Sequence, residues 1–243
     1  MQVVLRNKQA FEKVLADYQP APKTIEILGN IPLVILLGVT ASGRNTIIRH
    51  LVESGKYKQV VSDTTRPAKV RDGKLEENGI NYYFRSEEEI LADLQDGKFL
   101  EAEIIHNQQV SGISVRELEV AQVSGKIPVN EVDLGGTDAI LRAKPDTKFF
   151  FVIPPSYTEW MRRLSGREQM SEQELVNRLQ TAIKVIKKGL KDDHFIFVIN
   201  DSSFDSAKRI DEQVHNNKNE THHAEAQIVA EEILNDIRAH HDI

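Results

Sequence analysis

A glycine-rich run between a predicted strand and a predicted helix has the residue types that bind phosphate. Its two glycines stand five positions apart, which lets the backbone wrap around an anion with amide N–H groups and a helix amino terminus facing it. The usual pattern ends in Gly-Lys-Ser/Thr, but here Arg44 carries the charge on a planar guanidinium and Asn45 offers an amide oxygen as a weak Mg²⁺ ligand. The predicted phosphate-binding run is Gly38-Val39-Thr40-Ala41-Ser42-Gly43-Arg44-Asn45-Thr46.

The sequence around this run alternates apolar strands with amphipathic helices. Continuous apolar runs are typical of strands buried on both faces of a parallel sheet, and strands that alternate with helices indicate βαβ units. We therefore predict an α/β fold whose parallel sheet core is flanked by helices. The strand runs are Leu33–Leu37, Pro128–Val132, Phe149–Ile153 and Phe195–Ile199, and the helical periods are Asn45–Glu53, Ser156–Leu164 and Glu172–Leu190.

Three regions differ from this core. Residues 61–127 carry shorter, more polar strands and a charged loop, which indicates an inserted lobe. Helical spacing in Gln9–Tyr18 predicts a short helix within an amino-terminal extension over 1–30. The polar segment His215–His223 predicts a linker before a closing helix. The predicted main domain covers 31–214, with its core at 31–60 and 128–214, and the linker and last helix cover 215–243.

Length and composition exclude several classes of protein. The chain has 243 residues, a formal net charge of −6 and no cysteine. It is long enough to bury a core, its charge argues against a dedicated non-specific nucleic-acid binder, and it has no disulfide framework, thiolate zinc site or thiol nucleophile. The longest apolar run, around Leu33–Leu37, is far below the roughly 20 residues that span a bilayer, and no secretory pattern begins the chain. We expect a cytoplasmic protein without membrane or nucleic-acid partners.

An ordered series of motifs follows the glycine-rich run along the chain. Its residues are Ser62-Asp63-Thr64-Thr65-Arg66, then Arg71, Gly73, Glu76, Gly79, Tyr82 and Phe84, then Phe99-Leu100-Glu101, Glu131–Gly136, Phe151–Ser156, Arg163–Arg167, Arg178-Leu179 and Val198–Asp201. The whole series, over roughly Leu33 to Val214, is more specific than any single motif and resembles the guanylate kinase family. The resemblance implies a P-loop nucleoside monophosphate kinase fold, with a GMP-binding lobe over 61–127 and a short lid over 165–177.

On the acceptor side, the resemblance implies that Arg66 and Arg71 bind the phosphate of GMP. Guanidinium forks suit phosphate oxygens, and the hydroxyls of Ser62 and Tyr82 would assist them. Glu76 would order the two arginines. Arg66 is also expected to act in catalysis.

On the donor side, the resemblance places ATP on the glycine-rich run, with Arg44 on its phosphates and Asn200 against adenine. The residue nearest Mg²⁺ would be either Asn45 or Glu131. Glu131 would hold a water molecule bound to the metal. Trp160, with Met161 and Leu164, is interpreted as the core of a helix. The arginines expected to stabilise the transferred phosphoryl group are Arg163, Arg167 and Arg178, and Arg167 is also assigned to ATP.

The sequence departs from the family in two parts, the Arg44-Asn45 ending of the glycine-rich run and the residues for guanine recognition. The donor edge of guanine calls for carboxylates, for which Glu101 and Asp133 are the candidates. The family carries Gly-Asn-x-Tyr-Gly-Thr/Ser after the Phe-Leu-Glu motif, and its Tyr touches phosphate while the last hydroxyl reads guanine. Here the stretch reads His106-Asn107-Gln108-Gln109-Val110-Ser111-Gly112-Ile113-Ser114. The Tyr is absent, and the base-reading hydroxyl comes from Ser114 or Ser111 or is lost.

These observations favour transfer of the γ-phosphoryl group of MgATP to GMP, in purine nucleotide metabolism. ATP and GMP are the expected partners and Mg²⁺ the expected cofactor, and a homodimer is left open. One alternative is a guanylate-kinase-like module that binds a ligand without phosphoryl transfer, which the Gly-Arg-Asn ending favours. The other is a kinase for another nucleoside monophosphate, which the absent Tyr favours.

Overall fold

The computed structural model describes residues 5–71, 73–105, 107–166, 170–216 and 220–241. These residues form two compact units. Unit 1 contains the chain up to Leu33, Lys58–Asn130 and Gly135–Thr147. Unit 2 contains Val34–Tyr57, Glu131–Leu134 and the chain from Lys148 onward.

Helices and strands alternate along most of the described chain, and none of the helices described is long and apolar enough to cross a membrane. The helices are α1 (Lys8–Leu15), α2 (Pro22–Gly29), α3 (Arg44–Glu53), α4 (Glu87–Gln95), α5 (Val115–Val123), α6 (Leu134–Ala143), α7 (Tyr157–Ser165), α8 (Glu172–Gly189), α9 (Ser203–Asn216) and α10 (Glu220–His240). The strands are β1 (Val34–Gly38), β2 (Tyr57–Gln59), β3 (Asp63–Thr64), β4 (Val70–Arg71), β5 (Lys74–Leu75), β6 (Tyr83–Phe84), β7 (Phe99–Ile105), β8 (Gln109–Ser114), β9 (Ile127–Glu131), β10 (Lys148–Ile153) and β11 (Phe195–Ile199).

Unit 2 is built on parallel strands in the order β11-β10-β1. Leu36 pairs with Phe150, which pairs on its other side with Ile196. Strand β10 is buried along all but its first residue, and the ring of Phe151 stacks on that of Phe197 with centroids 4.5 Å apart. Because both faces of these strands are covered, every position except Lys148 and Gly38, at the strand ends, carries an apolar side chain. The predicted α/β fold, with a parallel sheet flanked by helices, is confirmed.

The carboxy-terminal part of unit 2 differs from the predicted linker. Helix α9 continues to Asn216 and α10 begins at Glu220, so the described ends of the segment 215–223 are helical, while 217–219 lie outside the described residues. The polar residues do not prevent a helix because α10 buries another face, which includes Ala226, Ala230 and Ile233, and packs against β11. His223 contributes directly, since its Nδ1 accepts a hydrogen bond of 2.9 Å from the backbone N–H of Phe197.

Unit 1 carries a mixed four-stranded sheet in the order β6-β3-β8-β7 and the small hairpin β4-β5. Strand β3 runs parallel to β6 and antiparallel to β8, which is antiparallel to β7. One face of the sheet packs Phe99 and Val110 against Phe11 of α1 and Ile90 of α4. Helix α4 begins with a reciprocal capping box between Ser86 and Glu89, which fixes its start.

Candidate active site

The glycine-rich run forms a tight loop between β1 and α3. Gly38 has φ +139°, and a Cβ there would lie 2.2 Å from the carbonyl oxygen of Val152. Gly43 has φ +96°, and a Cβ there would lie 2.2 Å from Nδ2 of Asn200. Both positions therefore require glycine, for conformation and for space. Helix α3 starts directly after Gly43, with the backbone N–H of Thr46 donating to the Gly43 carbonyl at 3.1 Å, so its first turn presents amide groups suited to an anion.

The two residues that depart from the usual pattern contact the same carboxylate. Nε of Arg44 lies 3.2 Å from Oε2 of Glu131, and Nη1 donates to the carbonyl of Val132 at 3.5 Å. The hydrogen-bonding pattern orients the amide of Asn45 so that Nδ2 lies 2.9 and 3.0 Å from the two carboxylate oxygens of Glu131. Glu131, predicted to hold metal-bound water, thus holds Arg44 and Asn45 at the start of α3.

The donor set suits a Mg²⁺ ion that arrives with a nucleotide. No group of three or more His, Cys, Asp or Glu residues in the described chain could hold a metal by itself. Glu131 and Asn45 nevertheless provide a carboxylate and an amide oxygen beside the loop. Because Mg²⁺ is usually bound through one or two carboxylates together with substrate phosphates and water, these residues fit that role.

Of the three arginines expected to stabilise the transferred phosphoryl group, Arg163 lies at the glycine-rich loop. It is on α7, and its Nη2 donates to the carbonyl of Asn200 at 2.9 Å, while Nη1 would lie 4.0 Å from a Cβ at Gly43. Its Nε also bonds Glu159 at 2.8 Å, and hydrogen bonds from Arg162 and then Arg163 lower the pKa of Glu159 to about 2. Arg163 therefore has a fixed position beside the phosphate-binding backbone.

The other two arginines expected to stabilise the transferred phosphoryl group are Arg178 and Arg167. Arg178 is on α8 and pairs with Glu174 one turn earlier in the same helix. Arg167 lies outside the described residues. Part of the predicted lid, from Glu172 onward, is regular helix.

Two buried side chains donate hydrogen bonds to backbone carbonyls of the glycine-rich loop. The Nδ2 of Asn200 donates to the carbonyl of Ser42 at 2.6 Å, and the Nε1 of Trp160 donates to the carbonyl of Thr40 at 2.8 Å. Asn200 is only 3% exposed, and its amide nitrogen is committed to the loop. Ser42, predicted to bind ATP, is itself fully buried, and its hydroxyl has no hydrogen-bond partner among the described residues. Sequence analysis assigned Trp160 to the core and missed this contact, because indole N–H partners have no sequence signal.

In unit 1, the predicted phosphate arginine Arg66 makes a buried bidentate ion pair with Glu76. The two side chains are joined at 2.5 and 2.9 Å, and the residues are 4% and 8% exposed. The guanidinium also lies over the ring of Tyr82, 4.6 Å from its centroid. Burial opposes the charge of Arg66, but the hydrogen bonds and charge of Glu76 raise its pKa overall. The predicted ordering contact between Glu76 and Arg66 is therefore present.

The remaining predicted phosphate ligands are on the same unit. Ser62 accepts a hydrogen bond of 3.2 Å from Nδ2 of Asn130. Arg71 is in β4, opposite Lys74, and its side chain lies outside what the structure describes.

The predicted base-reading carboxylate Glu101 is on β7 and is 6% exposed. Burial, and then the charge of the neighbouring Glu103, raise its pKa to about 8, against a hydrogen bond with the backbone of Ile113. An unliganded Glu101 is therefore mainly protonated at neutral pH. The second candidate, Asp133, is exposed in the segment Glu131–Leu134 of unit 2.

The strand register distinguishes the hydroxyls that the sequence left open. Glu101 pairs with Ile113 and Glu103 pairs with Ser111, and side chains directly opposite each other share a face of the sheet. Ser111 therefore lies on the face of the two glutamates, where its Oγ donates to Oγ1 of Thr64 at 2.8 Å. Ser114 pairs with Phe99 on the other face, since successive residues alternate. The residue directly across from Glu101 is thus isoleucine rather than a hydroxyl residue.

Sequence reasoning missed a buried polar cluster around Asp63. This side chain is fully buried and lies 3.1 Å from Arg116 and 3.8 Å from Arg85. Burial raises the pKa of Asp63, although both arginines act in the opposite direction. The ring of Tyr83 lies beneath the guanidinium of Arg116, at 4.4 Å from ring centroid to Cζ. The one sequence signal was an acidic residue inside the matched Ser-x-Thr-Thr-Arg motif.

Parallel strands that end in a glycine-rich loop, followed at once by a helix, define a P-loop nucleotide-binding fold. A family model described as guanylate kinase matches residues 31–221. The chain is 35% identical to the guanylate kinase of Hahella chejuensis, over 68% of this chain and 77% of that protein. It is 36% identical to the guanylate kinase of Nostoc sp., over 70% of this chain and 82% of that protein. The chain belongs to the guanylate kinase family.

A solved structure supports the fold independently. The crystal structure of guanylate kinase from Anaplasma phagocytophilum has a TM-score of 0.56 against this chain, with 24% sequence identity. The region in which the two structures match covers 79% of this chain and 88% of the Anaplasma phagocytophilum chain.

Proposed function

We propose that this protein transfers the γ-phosphoryl group of MgATP to GMP, giving ADP and GDP. The observation that carries the proposal is the loop from Gly38 to Gly43, which opens α3 and has Arg163 fixed beside it. Phosphoryl transfer asks little covalent chemistry of a protein, and positioning together with charge neutralisation supplies most of the catalysis. This loop and the cations near it provide both for a polyphosphate.

Each side chain has a role that follows from its surroundings. The amides at the start of α3 and the guanidinium of Arg44 bind the ATP phosphates, and Arg163 stabilises charge on the transferred group. Arg66, ordered by Glu76, binds the GMP phosphate. Glu101 in its ionised form accepts hydrogen bonds from the guanine edge. Asn45 and Glu131 would hold a Mg²⁺ ion that arrives with the nucleotide, and the ion would supply positive charge to neutralise the phosphates.

Arg44 must exchange its partner when nucleotide binds. Its guanidinium contacts Glu131 in the structure, and ATP phosphates offer it several anionic oxygens instead. We expect Arg44→Ala to lower kcat with MgATP and GMP by roughly a hundredfold or more, since one preorganised donor is worth roughly 10²–10³ in rate. Arg44→Lys, which keeps the charge, is expected to stay within about tenfold of wild type.

Steady-state kinetics would check this prediction. Arg49→Ala is a matched control on the same helix, because Arg49 is exposed and pairs only within the helix with Glu53 in its described contacts. A kcat for Arg44→Ala equal to that of the Arg49→Ala control would remove Arg44 from the catalytic machinery.

A second candidate function is phosphorylation of another nucleoside monophosphate. The observation that favours it is Ile113, which stands directly across from Glu101 where a hydroxyl would help to select guanine. An ADP-release assay with MgATP and each of GMP, dGMP, AMP and UMP separates the candidates. The proposal predicts the highest kcat/KM with GMP, whereas a preference for AMP or UMP would remove the role given to Glu101. Nucleotide binding without turnover would favour a binding module.

A further inference from the structure

Two buried side chains from outside the phosphate-binding loop hold two of its carbonyl groups. Trp160 on α7 donates its indole N–H to the carbonyl of Thr40 at 2.8 Å, and it has no solvent exposure. Asn200, directly after β11, donates its amide N–H to the carbonyl of Ser42 at 2.6 Å and is 3% exposed. Both donors are therefore rigidly placed in unit 2.

These contacts fix the direction of the next amide groups as well as the carbonyls. A trans peptide is planar, with its C=O and the following N–H pointing in opposite directions. When the Thr40 carbonyl faces Trp160, the N–H of Ala41 points away from Trp160. In the same way, the N–H of Gly43 points away from Asn200. The N–H of Ser42, which lies between these two groups, donates to the carbonyl of Val39 at 3.1 Å. Backbone N–H groups presented by one tight turn can bind an anion.

The loop conformation needs such support. Ala41 has φ +64°, in the left-handed region that residues with a Cβ seldom adopt. Such a conformation is energetically unfavourable and persists only where the surroundings determine it. The N–H of Ala41 belongs to the same peptide unit as the carbonyl of Thr40, which accepts the hydrogen bond from Trp160. The hydrogen bond from Trp160 is thus placed where it can stabilise the strained conformation.

We propose that Trp160 and Asn200 are positioning residues, which preset the N–H groups of Ala41 and Gly43 to bind a polyphosphate. The inference rests on the proposed function in that it takes the loop to bind polyphosphate. Arg163 belongs to the same arrangement, because it donates to the backbone carbonyl of Asn200. Trp160 and Asn200 act in this role through the loop backbone, and the contact with adenine that the resemblance implies for Asn200 is not part of it.

The test uses Trp160→Phe, which keeps a buried aromatic ring and removes the indole N–H, and Asn200→Asp, which keeps the shape and removes the donor. The ligand is tripolyphosphate, measured by calorimetry, with GMP measured separately. Loss of one preorganising hydrogen bond is expected to weaken tripolyphosphate binding about five- to tenfold and to leave GMP binding unchanged. The ¹⁵N–¹H resonance of Ala41 is expected to shift in Trp160→Phe, and that of Gly43 in Asn200→Asp.

A control separates positioning from general stability. Phe150→Leu removes core volume from β10 at a fully buried position that is outside the loop. It is expected to lower the melting temperature while leaving tripolyphosphate affinity unchanged. Should Asn200→Asp fail to fold, Trp160→Phe carries the test. If wild type binds tripolyphosphate and Trp160→Phe binds it equally well, the inference is overturned. If wild type itself binds none, the loop does not bind polyphosphate and the proposed function fails first.

Discussion

Arg66→Met is expected to abolish GMP binding and to destabilise the protein by about 3–5 kcal/mol. Arg66 and Glu76 form a bidentate pair that is almost fully buried. Removal of the guanidinium leaves the Glu76 carboxylate in the interior without a compensating charge from Arg66, although the backbone N–H of Lys69 still donates to it at 3.0 Å. The double variant with Glu76→Leu removes both charges. Because an apolar pair of similar volume is often as stable as a buried ion pair, the double variant is expected to recover most of the stability. It is not expected to recover GMP binding, since the phosphate ligand is still missing.

Urea unfolding and calorimetry with GMP would measure the two effects. Lys98→Met is the matched control in the same unit, because Lys98 is half-exposed and its pairs with Asp93 and Asp96 are surface contacts that contribute little to stability. GMP affinity in the double variant equal to that of wild type would show that Arg66 serves only the fold.

The second large effect is a pH dependence that arises from Glu101. Its ionised form is needed to accept hydrogen bonds from guanine, and burial followed by the charge of Glu103 raises its pKa to about 8. The affinity for GMP is therefore expected to increase roughly thirtyfold from pH 6.5 to pH 9. Glu101→Gln is expected to bind GMP weakly and with no such rise, and Glu103→Gln is expected to move the rise to lower pH.

The stability of the free protein should change in the opposite direction. The pKa of Glu101 is higher in the folded chain than its ordinary value of 4.5, so the folded state binds the extra proton between these two values. This group therefore favours unfolding progressively as pH increases from about 4.5 to 8, by roughly 3–5 kcal/mol in total. Relative to wild type, Glu101→Gln should gain stability over that range. Parallel pH profiles for the two proteins, in stability and in GMP affinity, would contradict the account.

The sequence predicts most of the elements that position the site. The interior positions of strands β1, β10 and β11 are apolar because both faces are covered, and this pattern is visible in Phe149–Ile153. The glycine-rich run is equally visible, since Gly38 and Gly43 are required by conformation and by contact. Helix α2 was not predicted from the sequence, because a proline usually interrupts a helix. Pro22 instead occupies the first turn of α2, where its missing N–H costs nothing.

The contacts within the site could not be predicted in the same way. The pairing of Arg44 and Asn45 with Glu131 joins residues more than 80 positions apart, and no local pattern encodes it. The face on which Ser111 lies depends on a register shift between Phe99 and Glu101, which reverses the apparent alternation. The pKa of Glu101 depends on burial by distant segments. Such features come from tertiary packing and require coordinates.

The most direct test of the central claim follows the γ-phosphate itself. Wild-type protein is mixed with MgATP labelled at the γ position and with GMP, and the products are separated. The account predicts label in GDP, formed in step with ADP, and little in inorganic phosphate. Label that stays in ATP, from folded protein that still binds GMP, would contradict phosphoryl transfer and leave a nucleotide-binding module in its place.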